Sequence, residues 1–140
     1  MMIIKPAQTL AFAVLMLSMS TSLRAEERMR AGLWEVTITS DGKAGSIGNT
    51  CYTPAMVEMA NMPTKELLEF TTNVSAKRGC TVKDFRVERN KISMVKACPG
   101  SVAEISSTYS GDAFETVDTT TRDGATKAIR MKGRRLGDCK

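Results

Sequence analysis

Soft-ligand chemistry in this sequence is confined to methionines and cysteines. Met56, Met59 and Met62 form an M-x-x-M-x-x-M array, and thioether sulfurs at that spacing can hold copper(I). On an α-helix the same positions sweep about 120°, the width of an ordinary apolar face, so packing against a sheet is the competing use of the array. Cys51, Cys80, Cys98 and Cys139 could serve as thiolate ligands or close into two disulfides. None belongs to a C-x-x-C pair, and the spacings of 29, 18 and 41 residues match no zinc ribbon, so disulfides are expected. The chain contains no histidine, which removes Ser/His/Asp and Cys/His catalytic sets and His-ligated zinc.

Charge supplies the other candidate chemistry. Residues 77–96 hold seven basic against two acidic side chains, and residues 122–140 again seven against two. By strand alternation Arg130, Lys132 and Arg134 share one face and could meet an acidic partner or a polyanion. Residues 100–121 carry Glu104, Asp112, Glu115 and Asp118 and no Lys or Arg. A two-residue turn at Asp123-Gly124 would set Glu115 opposite Lys132 and Val117 opposite Arg130, consuming part of the stripe by cross-strand pairing. Only six aromatic residues follow position 25, too few for base stacking, so no nucleic-acid partner is expected. A cysteine nucleophile would need to escape the disulfides and find a base other than histidine. The four carboxylates sit in no apolar motif that would raise a pKa, so a non-enzymatic protein without a resident cofactor is expected.

The elements that must position these groups begin after a leader. Lys5 followed by an apolar run over residues 10–19 and small residues up to Ala25 has the layout of a cleaved secretory signal. The run is short for a membrane span. Residues 1–25 are therefore expected to be a signal peptide and residues 26–140 a single exported, periplasmic domain. Removing Lys5 and Arg24 leaves 18 basic against 15 acidic side chains, a mild excess. An oxidising destination fits an even cysteine count.

Alternation of Trp34, Val36 and Ile38 with Glu35, Thr37 and Thr39 predicts a strand over 30–40, and Asp41-Gly42 a tight turn into a second over 44–52. Thr53-Pro54 predicts the start of a short helix ending near Asn61, and 64–70 a further turn or two of helix. From Cys80 onward, turn chemistry at Arg89-Asn90-Lys91, Pro99-Gly100, Gly111-Asp112 and Asp123-Gly124 separates five strands over 80–88, 91–98, 102–109, 113–121 and 126–135. The fold class is mainly β with a short helical insertion: one antiparallel meander of about seven strands, strongly curved or barrel-like.

If the third and fourth strands turn at Arg89-Asn90, residues whose numbers sum to about 179 face each other, which brings Cys80 within one position of Cys98. Exclusion then pairs Cys51 with Cys139. A slipped register would favour Cys51 with Cys80.

Gly32-Leu33-Trp34-Glu35-Val36, Cys51-Tyr52-Thr53, Gly79-Cys80, the segment Tyr109 to Phe114, and Gly133-Arg134-Arg135-Leu136-Gly137-Asp138-Cys139 together resemble the bacterial exported family called domain of unknown function 3617. The resemblance covers essentially the whole chain after the leader. It implies a small periplasmic domain and carries no active site.

The resulting expectation is an exported binding module for a cell-envelope protein or a small apolar ligand. A periplasmic inhibitor or chaperone-like partner protein, and a copper(I)-handling protein acting through Met56, Met59 and Met62, are the alternatives. Whether Trp34, Phe85, Phe114 and the helical insertion fill the sheet's interior decides between a small ligand and a protein partner.

Overall fold

The structure is a computed structural model, and it describes residues 27–140; the expected leader lies outside them. Seven strands follow one another as β1 (Gly32–Ser40), β2 (Lys43–Tyr52), β3 (Thr81–Glu88), β4 (Lys91–Cys98), β5 (Ser101–Tyr109), β6 (Ala113–Arg122) and β7 (Ala125–Gly137). Two helices, α1 (Pro54–Asn61) and α2 (Thr64–Ala76), connect β2 to β3. All strands pair antiparallel in one sheet of order β2-β1-β7-β6-β5-β4-β3. This is the expected antiparallel meander of seven strands, and it does not close into a barrel: β2 and β3 are the two edges and the sheet is open. The helical connection leads from one edge to the other, so the chain spans the sheet without a strand that could close it.

The turns explain the registers. Asp41 and Gly42, at φ 50° and 76°, and Asp123 and Gly124, at φ 51° and 77°, both occupy the left-handed region that a two-residue hairpin demands. The second turn fixes Glu115 opposite Lys132 and Val117 opposite Arg130, as its sequence predicts. In the β3–β4 hairpin Glu88 faces Lys91, Val87 faces Ile92 and Arg86 faces Ser93. A bulge between Lys83 and Arg86, with Asp84 at φ 50°, then inserts one residue into β3. That insertion removes the one-position offset and brings Cys80 opposite Cys98, where they form a disulfide at a Cα separation of 4.1 Å. Cys51 and Cys139 form the other, joining β2 to the chain end.

Alternation along β1 sends Trp34 and Val36 to one face, where they are buried with Phe114 of β6 and with Val57 and Ala60 of α1. Trp34 has no exposed surface; its indole N–H donates to Arg30 O at 3.1 Å. The interior is therefore filled by Trp34, Phe114 and the helical insertion, whereas Phe85, beside the β3 bulge, is half-buried and outside this cluster. Thr53 caps α1 by accepting from Met56 N, with Pro54 in the first turn. The second helix is longer than its sequence suggested, with Leu67 and Ser75 buried on one stripe. It ends where Cys80 N donates to Ser75 O at 3.0 Å around Gly79, at φ 71°.

Candidate functional site

Most residues that carry the family resemblance meet at one end of the sheet. The rings of Trp34 and Phe114 lie 5.5 Å apart, Trp34 and Tyr52 6.2 Å, and Tyr109 and Phe114 6.4 Å. Two glycines make room. Gly133 faces Phe114 across β6–β7 and accommodates its ring. Gly32, at φ 149°, lies under Arg135, whose Nη2 would stand 2.8 Å from a Cβ there. Arg135 crosses that position to donate from Nε to Ala31 O at 2.8 Å and to pair with Asp138. The Gly-Leu-Trp-Glu opening and the Gly-Arg-Arg-Leu-Gly-Asp-Cys close thus belong to one packing arrangement around a tryptophan. None of their side chains presents a nucleophile beside a base.

On the opposite face, Arg130, Lys132 and Arg134 alternate along β7 between Thr39, Thr37 and Glu35 of β1 and Val117, Glu115 and Ala113 of β6. Glu115 takes both Arg130 and Lys132, the latter at 3.5 Å. Glu35 takes Arg134 at 3.2 Å. Every cation of the stripe is thereby paired across strands, and these pairs border a shallow groove of about 680 Å³. Exposed pairs of this kind contribute about 1 kcal/mol or less each. Their consequence is electrostatic: two carboxylates offset two of the three cations, which lowers the positive charge of the stripe to a single excess.

The carboxylates do not assemble into a cluster. Asp112 pairs with Arg30 at 2.9 Å, and Asp118 accepts from Thr120 at 2.8 Å. Glu104 lies opposite Thr119 and Asp118 opposite Ile105, which puts these two acids on different faces. Among the described residues no group of three or more His, Cys, Asp or Glu could hold a metal ion, and both disulfides leave no free thiol.

The methionines are placed differently from the packing use that helical periodicity suggested. Val57 and Ala60 are the buried residues of α1, while Met56 and Met59 are 61% and 49% exposed. Small and β-branched side chains let α1 lie close to the sheet, and the long methionines project from its outer side. Met62 is the C-cap, past the helix, in extended backbone. Leu68, Phe70 and Val74 of α2 are exposed as well, so two consecutive helices carry five large apolar side chains open to solvent.

Sequence reasoning passed over Arg28 and Asn61. The Asn61 side chain donates from Nδ2 to Met29 O at 2.7 Å and accepts from Met29 N at 3.1 Å, imitating a strand pair. Arg28 donates from Nη1 to Ala60 O at 2.8 Å and Met62 O at 3.1 Å, and from Nε to Arg89 O at 3.1 Å. Helical pattern alone marked the end of α1 at Asn61; no local signal pointed Arg28 at it. Among the described residues no helix is long and apolar enough to cross a membrane.

Compared with known proteins, the chain matches no curated protein and no solved structure. The family model described as "Protein of unknown function (DUF3617)" matches residues 29–139, from Met29 of the tryptophan cluster to the Cys139 disulfide, and the chain belongs to that family.

Proposed function

We propose that this protein is a non-catalytic binding module, exported to the periplasm by a cleaved leader, and that its partner is a protein held on the outer surface of α1 and α2. The observation that carries this reading is the exposure of Met56, Met59, Leu68, Phe70 and Val74 on two consecutive helices, together with a sheet interior already filled by Trp34 and Phe114. A filled interior favours a protein over a small apolar ligand, and large apolar side chains left open to solvent are what protein association uses. The test is affinity capture from cell-envelope extract with the native chain and with Leu68→Glu/Phe70→Glu. One stoichiometric partner retained by the native chain and lost by the variant supports the reading; a partner kept equally by both overturns it. Amino-terminal sequencing of the protein recovered from the envelope fraction tests cleavage after Ala25.

A second reading, copper(I) handling, draws support from the exposure of Met56 and Met59 one helical turn apart. It fails if changing Met56, Met59 and Met62 together to Leu leaves copper(I) affinity unaltered.

A further inference from the structure

A cavity of about 620 Å³ lies at the tryptophan end of the sheet, where the chain preceding β1 crosses the β3–β4 and β5–β6 turns. Its wall includes Arg28, Arg89, Asn90, Tyr109 and Ser110. Two guanidinium groups at one cavity are ordinarily matched by acids. Here neither Arg28 nor Arg89 forms an ion pair among the described residues, unlike the stripe on β7. Arg28 is held rigidly by three carbonyl oxygens through Nε and Nη1, which leaves its Nη2 edge without a hydrogen-bond partner among the described residues. Glu27 lines the cavity too, and against the two arginines it leaves one excess positive charge.

Two further features fit an anionic ligand with an organic body. Tyr109 packs against Phe114, which gives the wall an aromatic surface. Burial pushes the Tyr109 hydroxyl above its ordinary pKa, against the smaller opposing effects of Ser107 and Arg28. The hydroxyl therefore stays protonated at neutral pH and can donate to an anion instead of repelling it. The volume lies in the range of small-molecule sites.

We propose that the Arg28–Arg89–Tyr109 cavity binds a small organic carboxylate, its head group held by the two guanidiniums and the tyrosine hydroxyl and its apolar body against the Tyr109 ring. This site is separate from the helical surface of the binding-module reading and does not depend on it. The fork suited to a planar carboxylate is that of Arg89; Arg28, with Nε and Nη1 committed to carbonyl oxygens, adds Nη2 alone and is already oriented, so little ordering of its side chain accompanies binding.

The probe is benzoate, titrated into the oxidised protein and followed by amide nitrogen–proton correlation spectra. Saturable shifts centred on Asn90, Ser110 and Gly111 are expected, with no comparable binding of benzamide, the neutral isostere. Arg89→Gln, at an exposed turn, is expected to weaken benzoate roughly tenfold, as loss of a charge-assisted hydrogen bond does. Tyr109→Phe is expected to weaken it several-fold while the spectrum stays dispersed. Absence of saturable benzoate binding, equal binding of benzamide, or unchanged affinity in Arg89→Gln overturns the proposal. Inorganic phosphate bound more tightly than benzoate at the same amides overturns the carboxylate assignment.

Discussion

Phe114 and Gly133 face each other across β6 and β7, and the phenylalanine ring occupies the space a side chain at 133 would need. A Cβ at Gly133 would stand 2.6 Å from Cδ1 and Cζ of that ring, and closer still to Cε1. Because Phe114 is wedged against Trp34, it has little freedom to retreat. Gly133→Ala is therefore expected to destabilise the fold by about 1–3 kcal/mol through overpacking, or somewhat more. Gly124→Ala is the contrast: nothing lies within 4 Å of its Cβ, but φ is 77°, so its cost of about 1 kcal/mol is conformational. Urea unfolding of both variants separates crowding from backbone strain; equal losses would contradict the assignment.

The two disulfides close loops of very different length, with sequence separations of 88 for Cys51–Cys139 and 18 for Cys80–Cys98. In the chain-entropy picture these correspond to about 4–5 and about 3 kcal/mol. Replacing Cys51 and Cys139 together by Ala is thus expected to lower the urea midpoint more than replacing Cys80 and Cys98. The reverse order would show that the edge hairpin depends on its disulfide beyond loop closure.

The registers show how far local chemistry reaches. Asp123-Gly124 specified every pair from Arg122↔Ala125 back to Ala113↔Arg134, because a two-residue turn leaves no freedom. The β3–β4 turn specified its register only as far as Arg86 opposite Ser93. The bulge beyond it uses Asp84, a residue with no glycine beside it to signal the left-handed conformation. Whether the sheet closes depends on β2 and β3, which are far apart in sequence, so no local pattern reports it. The continuation of α2 through Thr71-Thr72-Asn73 runs against helix propensity; its packing against β3 and the glycine stop at 79 outweigh that preference. At the candidate site, periodicity gave the arc of the methionines but not which side of α1 faced the sheet. The small Ala60 won that place because closeness to the sheet, not side-chain length, decides the contact.

Pairing of the β7 cations is itself testable. Glu115→Gln frees Arg130 and Lys132 at once. All three side chains are substantially exposed, so stability is expected to change by less than about 1 kcal/mol. Retention on a heparin column, in contrast, is expected to rise to a higher salt concentration, since two unneutralised cations beside Arg134 form a polyanion-binding row. Unchanged retention would show that solvent already screens the carboxylate.

Tyr109 makes stability depend on alkaline pH. Its hydroxyl ordinarily titrates at about 10, and burial raises that value in the fold. The protonated form is favoured by folding, so its contribution is fully present below the unfolded value. It declines as pH rises above about 10 toward the raised folded value, because the unfolded chain releases the proton first. Urea unfolding from about pH 8 to about pH 11 is expected to show a steeper alkaline loss in the native chain than in Tyr109→Phe. Parallel profiles would mean that the phenol ionises without leaving the core.

Arg28 closes the C-terminal end of α1 from outside the helix. That helix has eight residues and no basic side chain in its last turn, too short to persist by its own propensity. Nη1 of Arg28 meets Ala60 O and Met62 O, and Nε meets Arg89 O, placing a cation at the negative end of the helix dipole while tying it to the β3–β4 turn. Arg28→Lys keeps the charge and loses the fork, so it separates the two contributions. If directional bonds dominate, Arg28→Lys and Arg28→Ala are both expected to lose about 1–3 kcal/mol and to accelerate hydrogen exchange in residues 57–62 before global unfolding. If charge alone mattered, Arg28→Lys would exchange like the native chain and only Arg28→Ala would loosen α1.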